Sequence, residues 1–435
     1  METNPTRMCE LLVGLPDVDV LAVEDVAGGP LRIHVRSRPS VAWCRECGSR
    51  ASVKDRTTVT LVDLPCFGRP TRLVVHKVRM WCRDRVCDAG SWTVLDERIA
   101  APRAVLTARA GRWSTVQVGR LGRAVSDVAN ELGCDWHTVN NAVIAWGEAL
   151  LAADIDRTCG VRALGLDETL FVRVGPRHHK QWATSVVDVG GPGRPARLVE
   201  IIEGRTAAKV SEWIDDQPDE WRAAIDWGVL DMSGPYRKVF TDSLGHVTQV
   251  ADPFHVIKHA NSMLDVCRRR VQNETLGHRG HKGDPLYRSR RLLTKSHEDL
   301  DEAGEAKLLG FLEAGDPKGE VRMTWHAKET VRGLYAVGDP TAAGVYIDEL
   351  IADMADDTMP VEVRSLAGTL RRWRDHIVAW HTARVTNGPT EAMNNLVKRI
   401  KRVGFGLRRF QHYRIRTLLY AGRPNWALLE TVSPR

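Results

Sequence analysis

No apolar run approaches the ~18 residues that a membrane-spanning helix needs, so no transmembrane segment is expected. The first residues, METNPTRMCELLVGLPDVDVLAVEDVAGG, lack a basic stretch followed by a clean apolar core. Asp17, Asp19, Glu24 and Asp25 interrupt the pattern, which argues against a secretory signal. Aromatic residues are scarce, at 6%, and neither an internal repeat nor a low-complexity stretch occurs, so solenoid and disordered architectures are excluded. An odd cysteine count, nine, speaks against a disulfide framework. These absences leave a cytoplasmic chain in a reducing compartment. Its 435 residues suffice for about two to four domains.

What is present is ample core material, 43% hydrophobic, and a formal charge of +7 that is unevenly spread. Between Arg384 and Arg416 stand nine Lys/Arg and one acid, a net of +8, which leaves the remainder near −1 (7 − 8). A neutral body with one cationic strip fits a polyanion track. A solvated helix face is the alternative, but interleaved acids at i,i+4 are missing. Lys398, Arg399, Lys401, Arg402, Arg408 and Arg409 are the candidate contacts to that polyanion.

Four of the cysteines come as close pairs, Cys44/Cys47 in WCREC and Cys82/Cys87 in WCRDRVC. Two such pairs supply the four soft thiolates of a closed tetrahedral zinc site. With no histidine or carboxylate to leave a position open, the expected zinc is structural. Two unrelated pairs of reduced thiols are the alternative.

AVSDVANELGCDWHTVNNAVIAW, residues 124–146, reads as two helices joined at Gly133. Val125, Val128, Ala129 and Leu132 share one face, Val139, Ala142 and Val143 another, and Ser126 is the expected N-cap. The small turn suits a helix-turn-helix, with His137, Thr138, Asn140 and Asn141 outward on the DNA-reading helix. A plain helical hairpin would satisfy the same pattern.

Further on, strand-like and helix-like runs follow in the order β-β-β-α-β-α-β. Asp167 in VRALGLDETLFVR and Asp231 in WGVLDMSGPY close the first and fourth strands. That order suits an RNase H-like sheet, in which the first and fourth strands are neighbours. Two carboxylates there, with one from a later helix, would hold two Mg²⁺ ions, or Mn²⁺. The later acid is Glu391, in the first turn of the helix opened by Asn387-Gly388-Pro389. Helical arithmetic puts Met393, Leu396, Ile400 and Val403 on the apolar face and Glu391, Asn394, Asn395, Lys398 and Arg402 opposite.

The paired cysteines, the two-helix segment, LGLDE, LDMSGPY, ADPFHVIKHA and TNGPTEAMNNLVKRIKRVGFGLRRFQHYRIR together resemble the ISL-three family of bacterial insertion-sequence transposases, a branch of the DDE transposases. The resemblance runs from about residue 40 to 420. It implies a multidomain α/β chain with a zinc-binding β-rich module (1–98), a helix-turn-helix (99–155), and an RNase H-like core (160–262). A helical insertion (263–385) and the last acidic helix with the C-terminus (386–435) would complete it. It also implies a catalytic triad of Asp167, Asp231 and Glu391, with Asp252 in ADPFH the rival second acid and His255 accessory. The implied activity is cleavage of the element's terminal inverted repeats and transfer into target DNA by a homo-oligomer at the nucleoid. A transposase-derived DNA-binding regulator, or a nuclease without strand transfer, remains the alternative.

Overall fold

The computed structural model describes residues 2–15, 17–37, 43–94, 96–191 and 193–434. It forms two compact units, residues 1–157 with 396–435, and residues 158–395. The division therefore differs from the domain boundaries that the sequence suggests, because the C-terminal residues belong with the N-terminal ones. No helix among the described residues is long and apolar enough to cross a membrane.

The first unit begins with helix α1 (Pro5–Val13) and a sheet of β1 (Val18–Glu24), β2 (Leu31–Ser37), β3 (Ala51–Cys66), β4 (Arg69–Cys82) and β5 (Ser91–Val94). Its order is β1-β2-β4-β3, with β5 beside β4. One face packs Ile33, Val35, Leu61, Leu73 and Val75 against Val13 and Ile99. Burial alternates in β2, whereas β3 and β4 bury three consecutive residues each, 61–63 and 73–75. Helices α2 (Ala108–Thr115), α3 (Val125–Leu132) and α4 (Trp136–Ala153) follow. With the C-terminal helix α15 (Phe410–Ala421) they close a second core around Val128, Leu132, Val139, Val143, Ile415 and Leu419.

The second unit is built on β6 (Ala163–Val174), β7 (His179–Asp188), β8 (Arg197–Glu203), β9 (Trp227–Leu230) and β10 (Thr248–Ala251). Their order is β10-β9-β6-β7-β8. The first three strands are antiparallel neighbours, whereas β6–β9 and β9–β10 are parallel. Parallel neighbours require crossovers. These are α5 (Ala207–Asp215) with α6 (Asp219–Ala223), then α7 (Gly234–Ser243).

Next comes α8 (Pro253–Leu276), which runs without a break through residue 262, where the sequence suggests a boundary. The rest is helical, α9 (Pro285–Thr294), α10 (Glu302–Gly315), α11 (Glu320–Gly333), α12 (Pro340–Met354) and α13 (Val361–Ala383). Leu264, Cys267, Leu286, Leu308 and Trp325 form a small core of their own. Helices α12 and α13 instead bury Ile347, Leu366, Leu370 and Ile377 in one core with Leu166, Val186, Val199, Leu230 and Val256 of the sheet and α8. Part of the expected insertion is thus continuous with the sheet's own core.

Helix α14 (Gly388–Val403) starts in this unit. Its buried residues are Thr390, Met393, Asn394, Val397 and Ile400. The buried stripe is therefore rotated from the expected one, and Asn394, assigned to the polar face, lies inside. Thr390 sits over Gly165 of β6. A Cβ at Gly165 would overlap Thr390 Oγ1 and lie 3.0 Å from Val189 Cγ1. Gly165→Ala is expected to cost about 1–3 kcal/mol through overpacking, read as a lowered denaturant midpoint. Gly165→Ala/Thr390→Ala, which removes the overlapping hydroxyl, should recover part of that loss. Equal midpoints for Gly165→Ala and the wild type would disprove the close approach.

Candidate active site and metal cluster

Parallel pairing of β6 with β9 matches Ala163 with Trp227, Leu164 with Gly228 and Gly165 with Val229. Carried two residues further, the same offset sets Asp231 level with Asp167. Asp231 directly follows β9, as the sequence suggests, but Asp167 lies inside β6, which continues to Val174. Burial, and then the charge of Asp167, pushes the Asp231 carboxyl above the usual carboxylate range. Its Oδ1 is buried with no hydrogen-bond partner. Met232, the next residue, holds a left-handed backbone (φ 65°), uncommon for an unbranched side chain outside turns.

Asp167 Oδ1 accepts from the Glu168 amide (2.7 Å), and Oδ2 accepts from Asn394 Nδ2 (2.6 Å). Glu391 stands one turn earlier on α14, with its side chain 45% exposed and Oε1 3.6 Å from His255 Nε2. Asp252 is only 2% exposed and caps α8. Its oxygens accept from His255 Nδ1 (3.0 Å) and from the Asn387 amide at the entry to α14 (2.8 Å). Hydrogen bonding to Asp252 raises the pKa of His255. His259, four residues on, is shifted the other way by burial and Arg372. The two histidines therefore sit in opposite environments.

Electrostatic influence links Asp167 to Asp231, Asp231 to His255 and His255 to Glu391 in the second unit. Among the described residues, though, only one set of three or more ligand atoms lies within 4.8 Å of one another, and it is the four thiols Cys44, Cys47, Cys82 and Cys87. The three acids do not form so tight a set.

The thiols come together because β3 pairs Ala51 with Cys82, which brings the Cys44–Ser49 turn against the end of β4. Cys44 and Cys87 sulfurs are 3.7 Å apart, those of Cys47 and Cys82 3.4 Å. Four bonds of ~2.3 Å in a tetrahedron put sulfurs about 3.8 Å apart. The donor set and its spacing therefore fit a closed metal site. Hydrogen bonds from Ser49 lower the Cys47 thiol to about 6, while burial pushes Cys82 up to about 12. Metal uptake would thus displace a proton from Cys82 at least.

The residues expected to touch DNA divide. His137 and Asn141 are exposed and Thr138 is half-buried, but Asn140 is 1% exposed, with Nδ2 3.4 Å from His412 Nδ1. It is removed from the outward set because it flanks the buried Val139 and Val143. His137, Thr138 and Asn141 line a cavity of about 340 Å³ with Leu106, Trp146 and Pro434. Ser126 does not cap α3. Ala124 holds that position, and Gly133 (φ 63°) ends the helix as expected. In the cationic strip Lys398, Arg399, Arg402, Arg408 and Arg409 are exposed and Lys401 half-buried. Arg416 is only 1% exposed and so leaves the solvent-facing set.

Sequence reasoning missed the tethers. Asp252 reaches both His255 and α14, and Asn394 reaches Asp167. The only hint was the placing of Asn394 and Glu391 on one helical face.

Asp167 within β6, Asp231 just after the parallel neighbour β9 and Glu391 in the first turn of α14 thus lie in one unit. Residues 164–417 match a family model described as transposase, the ISL-three branch of the DDE group, and the chain belongs to that family. It is similar to the transposase for insertion sequence element IS1557 of Mycobacterium tuberculosis, 28% identical over 428 residues that cover 90% of this chain and 88% of the relative. It is also similar to the transposase for insertion sequence element IS1001 of Bordetella parapertussis, 24% identical over 424 residues, 94% and 96% of the two chains.

Proposed function

We propose that the chain is an active DNA transposase that binds the terminal inverted repeats of its element and carries out strand cleavage and strand transfer. Its catalytic core is RNase H-like, with Asp167, Asp231 and Glu391 as the acidic triad. The observation that carries this reading is the β6–β9 register, whose offset, continued two residues past its last pair, Gly165 with Val229, would set Asp231 level with Asp167, together with Glu391 on a helix tied to the same site through Asn387 and Asn394. Asp231 is preferred to Asp252 as second acid because Asp252 is already engaged by His255 and the Asn387 amide, whereas Asp231 Oδ1 has no hydrogen-bond partner.

Bound Mg²⁺ or Mn²⁺ would supply an activated water or 3′-OH and charge neutralisation at the phosphate. The protein's part is positioning. Asp167 would present its oxygens from β6 and Asp231 from the bend just after β9, Asp252 orients His255, and the ring nitrogen of His255 away from Asp252 faces Glu391. The four cysteines hold structural zinc, α3 and α4 form a helix-turn-helix, and the exposed cations of α14 grip phosphates.

Incubation with the element's own ends, a target plasmid and Mg²⁺ tests the reading. Joined products are expected. Cut ends alone would favour a nuclease, and binding without cutting would favour a regulator. Replacing Lys398, Arg399, Lys401 and Arg402 by Ala should weaken end-binding and flatten its log–log salt dependence by about 0.9 for each phosphate no longer neutralised. An unchanged slope would remove these residues from the interface.

A further inference from the structure

We infer that Asn394, itself held by Ser185, is a positioning residue that sets the Asp167 carboxylate for metal binding and ties it to the helix carrying Glu391. The inference rests on the reading of Asp167 as a metal ligand. Ser185 on β7 is the direct cross-strand partner of Asp167 in the β6–β7 ladder, so the two side chains share one face of the sheet. Asn394 enters from α14 and bridges them. Its Nδ2 donates to Asp167 Oδ2 at 2.6 Å, and its Oδ1 accepts from Ser185 Oγ at 2.6 Å. The direction of the amide follows from chemistry, because only the NH₂ end can donate to a carboxylate. That leaves the oxygen for the serine hydroxyl.

Ser185 is 0% and Asn394 2% exposed, so water does not compete for the bond between them, whereas the bond to the half-buried Asp167 is partly covered. A neutral amide orients a carboxylate without cancelling its charge. A Lys or Arg at the same place would oppose a divalent ion. Asn394 also stands three residues after Glu391, one turn along the same helix. The first and third acids are thereby joined by one helical turn and one partly buried hydrogen bond. Outer partners of metal-binding carboxylates act in this way, and their loss costs about 10–100-fold in affinity or activity.

The test is Mn²⁺ titration of the full chain without DNA, followed by electron paramagnetic resonance, for Asn394→Ala, Ser185→Ala, the double variant and Asp167→Ala. Asn394→Ala should weaken Mn²⁺ binding about 10–100-fold, and Ser185→Ala should give a smaller loss, under about tenfold. The double variant should bind no more weakly than Asn394→Ala alone, because Ser185 acts only through the amide. Should Asn394→Ala unfold the chain, the conservative Ser185→Ala decides. Wild-type affinity in Ser185→Ala and Asn394→Ala, or losses that simply add, would overturn the inference. An unchanged affinity in Asp167→Ala would overturn the ligand assignment beneath it, a different failure.

Discussion

Asp167→Asn is expected to lower Mg²⁺-dependent strand cleavage by about a thousandfold or more, with binding to the element's ends changed less than about threefold. Asn keeps the volume and one acceptor oxygen, so it can retain the bond from Asn394 Nδ2 at the expense of the one from the Glu168 amide. What is lost is the charge that a divalent ion requires. Asp167→Ala gives the same chemical loss but also strands the buried Asn394 amide, so its added cost should appear in stability. Near-equal cleavage defects with unequal stabilities would separate the two effects. The same logic sorts the second acid. Asp231→Asn should match the cleavage defect of Asp167→Asn with little loss of stability, since burial already disfavours the charged form of Asp231. Asp252→Asn should instead keep the cap on α8, since Asn caps about as well as Asp, and give only a partial defect from a misdirected His255. Cleavage that persists in Asp167→Asn, in Mg²⁺ and at the wild-type rate, would sink the triad.

Where the sequence pattern carried a hard constraint, it was readable. Two tight cysteine pairs predicted a four-thiol cluster, and the sulfurs do lie together. Apolar runs bounded by turns predicted three strands, a helix, a strand, a helix and a strand, and that order is found with a second short helix, α6, before the fourth strand. Gly133 stopped its helix where expected, because a left-handed residue there demands glycine. The failures share a cause. Periodicity gives the face of a helix but not its partner, so polar residues on the flank of an apolar stripe are read as solvent-facing. Asn140, Asn394 and Arg416 each adjoin buried apolar residues and are themselves buried. The two asparagines meet polar groups from elements distant in the chain, His412 for one, Ser185 and Asp167 for the other. Nothing local to either segment encodes those meetings. The boundary expected at 262 failed for a related reason. Asp252 caps a helix whose inward residues, Val256, Ala260, Leu264 and Val271, keep the same spacing across that point, so there is no physical stop.

Removal of metal from the thiol cluster should unravel the far end of the β3–β4 hairpin and leave its near end folded. The two halves differ in what holds them. Near the turn, Leu61 and Leu73, with Val75, are buried in the core that also takes Val13 and Ile99. Farther out, Val53, Lys54, Arg56 and Thr57 are exposed and the partner residues Lys77, Val78 and Arg79 are only partly covered or exposed. A ribbon of that kind, with only the four-residue β5 added on one edge, is marginal by itself. The cluster pins it at the end, through Cys44 and Cys47 before β3, Cys82 at the end of β4 and Cys87 in the turn beyond. With free zinc at about a hundred times its dissociation constant, linkage stabilises the closed form by about 2.7 kcal/mol, roughly a hundredfold in the opening equilibrium. Chelation, or Cys82→Ser, should therefore speed amide exchange by about that factor at residues 50–57 and 77–93. Exchange at Leu61, Leu73 and Val75 should change little. Metal analysis should find one zinc per chain in the wild type and none in Cys82→Ser. Uniform loss of protection across the sheet would mean that the cluster holds the whole module. No loss anywhere would mean that the four thiols serve no structural metal.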